Sequence, residues 1–236
     1  MSKRRPLKLF ETRKLFYTEY LFKLVLRNEL NTIFRTELQK KEKLSYARSQ
    51  LDQLTESYRN NLPLVKKFYR SNVIIDVQDY FDAMIIFTTL KNSEEYKLRI
   101  DPSSQLTLFS NNKQFLLDLA SKVHTTTVQF WQPNPTHIEL LKSETRIILV
   151  DSIPELSLKV HFNSKRVPKE FAKWIRSNGD KCRMGEIAID SLENYGYLNG
   201  LYMYVRDEKV LNLITLLAGR SIRSIEKLVY ASNIDK

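Results

Sequence analysis

The stretch from position 199 to 209 reads NGLYMYVRDEK, with Tyr202 and Tyr204 two residues apart. Side chains of a strand alternate between faces, so this spacing puts both rings on one side and Leu201, Met203 and Val205 on the other. Two tyrosines presented this way form a surface on which nucleotide bases stack, each well-stacked base contributing about 1–3 kcal/mol. Arg206 follows directly and has the chemistry of a phosphate partner. A half-buried strand whose tyrosines pack beneath a neighbouring element fits the same spacing, because tyrosine favours strands whatever their function.

A second group of residues carries charge rather than stacking surface. In SKRVPKEFAKWIR, residues 164 to 176, Lys169, Lys173 and Arg176 share one face of a helix while Phe171, Trp174 and Ile175 share another. Lys165 and Arg166 precede that helix, and between 163 and 183 only Glu170 and Asp180 oppose seven basic residues. A stripe of this kind can follow a phosphate backbone, and a plain solvated face is the alternative. Arg220 and Arg223 extend the patch if the fold brings them to it. Lys3, Arg4, Arg5, Lys8, Arg13 and Lys14 make the N-terminus a basic arm suited to nucleic acid or to an acidic groove.

With Val205 set on the consensus valine, the tyrosine stretch resembles the third-strand signature of RRM-type domains, K/R-G-F/Y-G/A-F/Y-V-x-F/Y. Tyr202 and Tyr204 then fall on the aromatic positions, while Met203, Leu201 and Gly200 stand where the signature has a small residue, a glycine and a basic residue. The resemblance implies an open sheet face that takes RNA or other single strands.

One constellation points to an enzyme. Asp76, Asp79 and Asp82 lie between two apolar runs read as strands, and Glu95 and Lys97 share a face of the next strand. An acid followed by E-x-K resembles the PD-(D/E)xK nuclease core, with Phe81 in place of the proline. The resemblance implies Mg²⁺ on Asp82 and Glu95 with Lys97 positioning the attacking water. A polar hairpin tip beside an edge strand explains the same residues. Of the three histidines, His161 adjoins the basic helix and has the type of a general base, without an identifiable partner; His124 and His137 stand apart from it.

Composition excludes more than it identifies. A hydrophobic share of 42% can bury a core, and 38 Lys and Arg against 27 Asp and Glu leave a net +11 that favours polyanions. Cys182 is the single cysteine, so a disulfide within the chain and a Cys-based zinc site are both ruled out. Five glycines form no GxxxxGK[ST], GxGxxG or GxSxG, which removes the usual support for an ATPase, a dinucleotide dehydrogenase or an esterase. No apolar run approaches the roughly 18 residues of a membrane span. The expectation is a soluble intracellular protein, cytoplasmic or organellar, without a cofactor unless the nuclease reading supplies Mg²⁺. Abundant Lys, Asn, Ile and Leu beside little Gly and Ala fits an AT-rich genome, viral, organellar or bacterial.

These residues must be held by two halves. After an arm at 1–15, strands are expected at 17–27, 72–77, 83–90, 95–100, 105–109 and 125–131, with a helix starting near Asn112. Leu44, Ala47, Leu51, Leu54 and Tyr58 recur at spacings of three and four, an inserted helical seam that packs within the chain or joins two copies. QPNPTH closes the first half, giving domains at 16–134 and 135–236. The second half reads strand, helix, strand, strand, helix, strand over RIILV/LSLKVHF, VPKEFAKWIRS, MGEIAI, LYMYVRD, DEKVLNLITLLAG and IEKLVY, the last helix stopping at Gly219. The expected class is α+β, two tandem ferredoxin-like (βαββαβ, RRM-like) units. Three functions follow: a non-catalytic nucleic-acid-binding protein, an assembly component of a virion, ribosome-like or replication complex, or a metal-dependent nuclease.

Overall fold

The computed structural model describes residues 7–34, 40–68, 71–93, 95–101, 104–124, 127–144 and 146–231. The chain is mixed α+β and divides into two compact units, 1–12 with 19–133 and 13–18 with 134–236.

In the first unit, β1 (Lys8–Glu11) and β2 (Phe22–Arg27) precede a 3₁₀ segment at Glu29–Phe34 and α1 (Lys40–Arg59). A hairpin of β3 (Val65–Phe68) and β4 (Ser71–Ile74) leads to α2 (Val77–Lys91). Then come β5 (Lys97–Ile100), β6 (Gln105–Ser110), α3 (Lys113–Lys122) and β7 (Thr127–Gln132). The strands lie in the order β1-β7-β2-β6-β5. Leu24, Leu26, Leu106, Leu108 and Phe130 are fully buried on this sheet, while α3 packs on β2 and β6 and α2 packs on both α1 and α3. Phe10 stacks on Trp131, 4.7 Å between centroids, across the β1–β7 pair.

Three polar residues at the end of β6 and just after it are each used. Asn112 caps α3 by accepting from Phe115 N at 3.0 Å, Asn111 accepts from Leu21 N, and Ser110 donates to the Glu95 carbonyl.

The second unit contains α4 (Ile138–Ser143), β8 (Ile147–Val150), β9 (Leu158–Phe162), α5 (Glu170–Ser177) and β10 (Cys182–Met184). It continues with α6 (Glu186–Tyr195), β11 (Tyr202–Val205), α7 (Glu208–Ala218) and β12 (Ile222–Tyr230). Its sheet order is β8-β12-β9-β11-β10. In each unit the leading strand runs parallel to the last, and all other neighbours are antiparallel. Val160, Phe162, Met203 and Val205 form one core with Phe171 and Ile175 of α5, Ile189 and Leu192 of α6, and Val210 and Ile214 of α7. Met203 has no exposed surface, so truncating it to alanine costs about 2–5 kcal/mol.

Several sequence expectations are corrected. Residues 83–90, expected as a strand, belong to α2, whose N-cap Asp76 accepts from Gln78 N at 2.7 Å. Tyr80, Ala83, Ile86 and Leu90 recur at helical spacing and are buried. MGEIAI is not a strand: β10 ends at Met184, and Glu186 begins α6, which stops at Gly196 in the left-handed region (φ 70°). Helix α7 does stop at Gly219 as expected; the glycine lies at φ −54° and the chain passes into a 3₁₀ turn over Gly219–Ser221. The supposed arm contains strand β1, while Lys3, Arg4 and Arg5 lie outside the described residues. Within the helical seam, Ala47, Leu51 and Leu54 are buried, and Tyr58 packs edge-on to Phe81 at 5.4 Å.

Candidate nucleic-acid interface

Alternation along four adjacent strands, β10, β11, β9 and β12, builds the site. Leu158, Val160 and Phe162 of β9 and Met203 and Val205 of β11 point into the helix-covered core, so Lys159, His161, Tyr202 and Tyr204 point to the other side. Pairing aligns them in two rows. Arg183, Tyr204, Lys159 and Glu226 form one, and Tyr202, His161 and Ser224 the other.

The tyrosine rings meet edge-on at 5.6 Å, and His161 lies 5.9 Å from Tyr202. Lys159 Nζ stands 3.9 Å from the Tyr202 centroid and 5.6 Å from that of Tyr204, an ammonium over aromatic faces. Glu226 accepts from Lys14 Nζ at 2.9 Å and is paired with His161 Nε2 at 2.8 Å.

These contacts set the charges. Burial alone would raise the Glu226 pKa, but the donors Lys14 and His161 outweigh it and hold the carboxyl below its ordinary range. Partial burial lowers the Lys159 ammonium, with Glu226 opposing and Lys14 reinforcing that shift. Burial raises the Tyr204 phenol, helped by Tyr202 and Glu226. The face thus offers two phenol rings, one of them 44% exposed, beside a cation.

The basic residues fall on different surfaces. Helix α5 buries Phe171, Ala172 and Ile175 against the core, so its stripe lies on the side of the sheet away from Tyr202. Arg176 on that stripe pairs with Glu193 at 3.1 Å and Glu186 at 3.4 Å, and Lys169 Nζ donates to the Asn194 carbonyl. Lys173, Lys165 and Arg166 are exposed. Arg206 donates to the Asp180 carbonyl and lies 3.6 Å from its carboxylate. Arg220 and Arg223, expected to extend the α5 stripe, lie at or just before the start of β12. Both precede or begin the end of β12 that pairs with Phe162, and Phe162 N donates to Leu201 O at the Tyr202 end of β11. The β12 register shifts between Ile222 and Ser224, and Arg223 is the bulged, exposed residue between them.

The D…ExK constellation does not assemble as expected. Asp82 sits on a helix, fully buried, with both oxygens accepting from His124 N at 2.9 Å and one also from Gln78 Nε2. Glu95 is exposed in a bend before β5, and Lys97 opens that strand opposite Phe109. Among the described residues no group of three or more His, Cys, Asp or Glu is placed to hold a metal ion.

Sequence reasoning missed Lys159 and Glu226 as members of the tyrosine face. The alternation of LSLKVHF exposes Lys159 and His161 together, a signal that was available; Glu226 depended on which strand neighbours β9. Compared with known proteins, the chain matches no family model and no curated sequence. No helix among the described residues is long and apolar enough to cross a membrane.

Proposed function

We propose that the second unit binds single-stranded nucleic acid, with RNA or other single strands preferred over duplex, on the face of its sheet opposite α5, α6 and α7. The observation that carries this reading is the Tyr202–Tyr204 pair with Lys159 over the Tyr202 ring: aromatic surface and a cation side by side on the side of the sheet away from the core helices. Arg220 and Arg223 flank the Tyr202 end and extend the path for phosphates. The chain's net +11 supports such a partner without specifying it.

The same reading takes each unit as derived from a ferredoxin-like βαββαβ domain, with one added leading strand in each and, in the second, the extra helix α6 between β10 and β11. It is supported by the order leading–last–first–third–second shared by the two sheets, counting the four strands after the leading one. In the first unit the segment from Glu29 to Lys91 stands where that pattern has its first crossover helix.

The test is fluorescence anisotropy with labelled single-stranded RNA, single-stranded DNA and duplex DNA at low and high salt, on the wild type and on Tyr202→Ala/Tyr204→Ala. Salt-sensitive single-strand binding that the variant loses supports the reading. Absence of binding by the wild type at low salt ends it.

A second reading, an assembly component, draws on α7. Leu213, Leu216 and Leu217 share its outer face, and Leu216 is 83% exposed. Concentration-dependent self-association abolished by Leu216→Lys would favour it.

A further inference from the structure

A cavity of about 280 Å³ lies in the first unit between α1 and the β3–β4 hairpin. Gln50, Gln53 and Ser57 fall at i, i+3 and i+7 of α1, so one stripe of the helix facing it is amide and hydroxyl. The hairpin supplies Lys66, Lys67 and Asn72, the last two directly paired across the strands. Among the described residues no acidic side chain lines the cavity. Lys66 Nζ is fixed by donating to Thr32 Oγ1, so its ammonium is oriented as well as half-buried.

We propose that this cavity is a binding site for a small phosphate-bearing anion, with Lys66 as its anchor and the α1 amides and hydroxyl as neutral donors around it. Ile33, Leu54 and Val65 supply an apolar part of the wall; the rest of the lining is polar, and its donor set matches an oxyanion with several acceptor oxygens. The volume is below that of most drug-sized pockets, which limits the ligand to a phosphate with a small body such as a pentose. The site is independent of the sheet face in the other unit.

Proton linkage gives this proposal a signature. Burial lowers Lys66 to about 8, with Glu29 acting in the opposite direction. Among the described residues, Glu29 from the 3₁₀ segment acts on it, Lys67 from the hairpin lines the same cavity, and the α1 side chains lining it are uncharged. An anion beside the amine favours its charged form, so binding near pH 8 takes up protons and weakens as pH rises further.

The experiment is titration calorimetry of the full chain with ribose 5-phosphate and inorganic phosphate at pH 8, in two buffers of different ionisation enthalpy. A chloride-matched control is run, and folding of every variant is checked by circular dichroism. Expected are saturable binding with proton uptake, at least a tenfold loss in Lys66→Met, retention in Lys66→Arg, and no change in Tyr202→Ala/Tyr204→Ala. If Lys66→Met does not fold, Gln53→Ala and Lys67→Ala decide, each expected to weaken binding severalfold. No saturable binding, or binding that survives unaltered in these variants, overturns the assignment.

Discussion

Tyr202 and Lys173 lie on opposite sides of one sheet. β11 turns the tyrosine outward while α5, which carries the lysine, covers the other side with Phe171, Ala172 and Ile175. Stacking and the basic helix therefore separate experimentally. Tyr202→Ala is expected to weaken single-strand binding about fivefold to a hundredfold, the equivalent of one missing stack. Lys173→Ala is expected to leave affinity within about twofold and the salt slope unchanged, because removing a lysine that touches phosphate would lower that slope by about 1. Anisotropy over a salt series reads both. A large effect of Lys173 with none of Tyr202 would move the interface to the helix.

Glu226 makes a pH prediction. Its folded pKa lies below the ordinary 4.5, so its stabilising contribution is complete above that value and is lost as pH falls through the lowered folded one. Glu226→Gln should flatten this part of the acid limb when unfolding free energy is measured by urea titration between pH 3 and 7. Coincident slopes for the two proteins would contradict the lowered value.

Asp82 has the opposite sign. Burial raises its pKa above the ordinary 3.8 despite the donors His124 and Gln78, so ionisation costs the fold and acid relieves that cost. Its acceptors are still needed: Asp82→Ala strands the His124 N–H and is expected to cost about 1–3 kcal/mol at neutral pH. Asp82→Asn, retaining one acceptor, should cost less. Equal and negligible losses in chemical denaturation would show that water replaces the carboxylate.

Cys182 is 1% exposed, and burial pushes its thiol up to about 11. Both effects suppress the thiolate that reacts. Thiol-specific labelling of the native protein at pH 7.5 should be at least a hundredfold slower than in denaturant, and its residual rate should track unfolding of the second unit. Fast native labelling would mean that β10 detaches readily.

How far the sequence revealed this molecule depended on which faces are covered. LSLKVHF and LYMYVRD were legible because one side of each strand meets helices and the other does not, leaving a clean period of two. AMIIFTTL was misread because α2 packs on both α1 and α3. Burial on two sides leaves Ile85, Phe87 and Thr89 partly covered between the fully buried positions, and the helical period fades. In MGEIAI, Ile187 is 82% exposed, an apolar residue on the solvent side that blurred the helix. Tyr202 and Tyr204 were visible as a pair, whereas the Lys14–Glu226 contact joins residues 212 positions apart and depends on strand order.

The parallel placement of each leading strand beside the last one has a consequence for synthesis on the ribosome. β1 has no partner until β7 emerges, and β8 none until β12 does. The antiparallel pairs β9–β11 and β10–β11 can form earlier, but β12 inserts between β8 and β9. A nascent chain that has emerged from the ribosome as far as about residue 215 would hold both tyrosines on a paired β11, yet leave the edges of β8 and β9 open to other chains. Release of residues 222–230 closes those edges, so a translational pause before this segment would prolong the interval most exposed to aggregation.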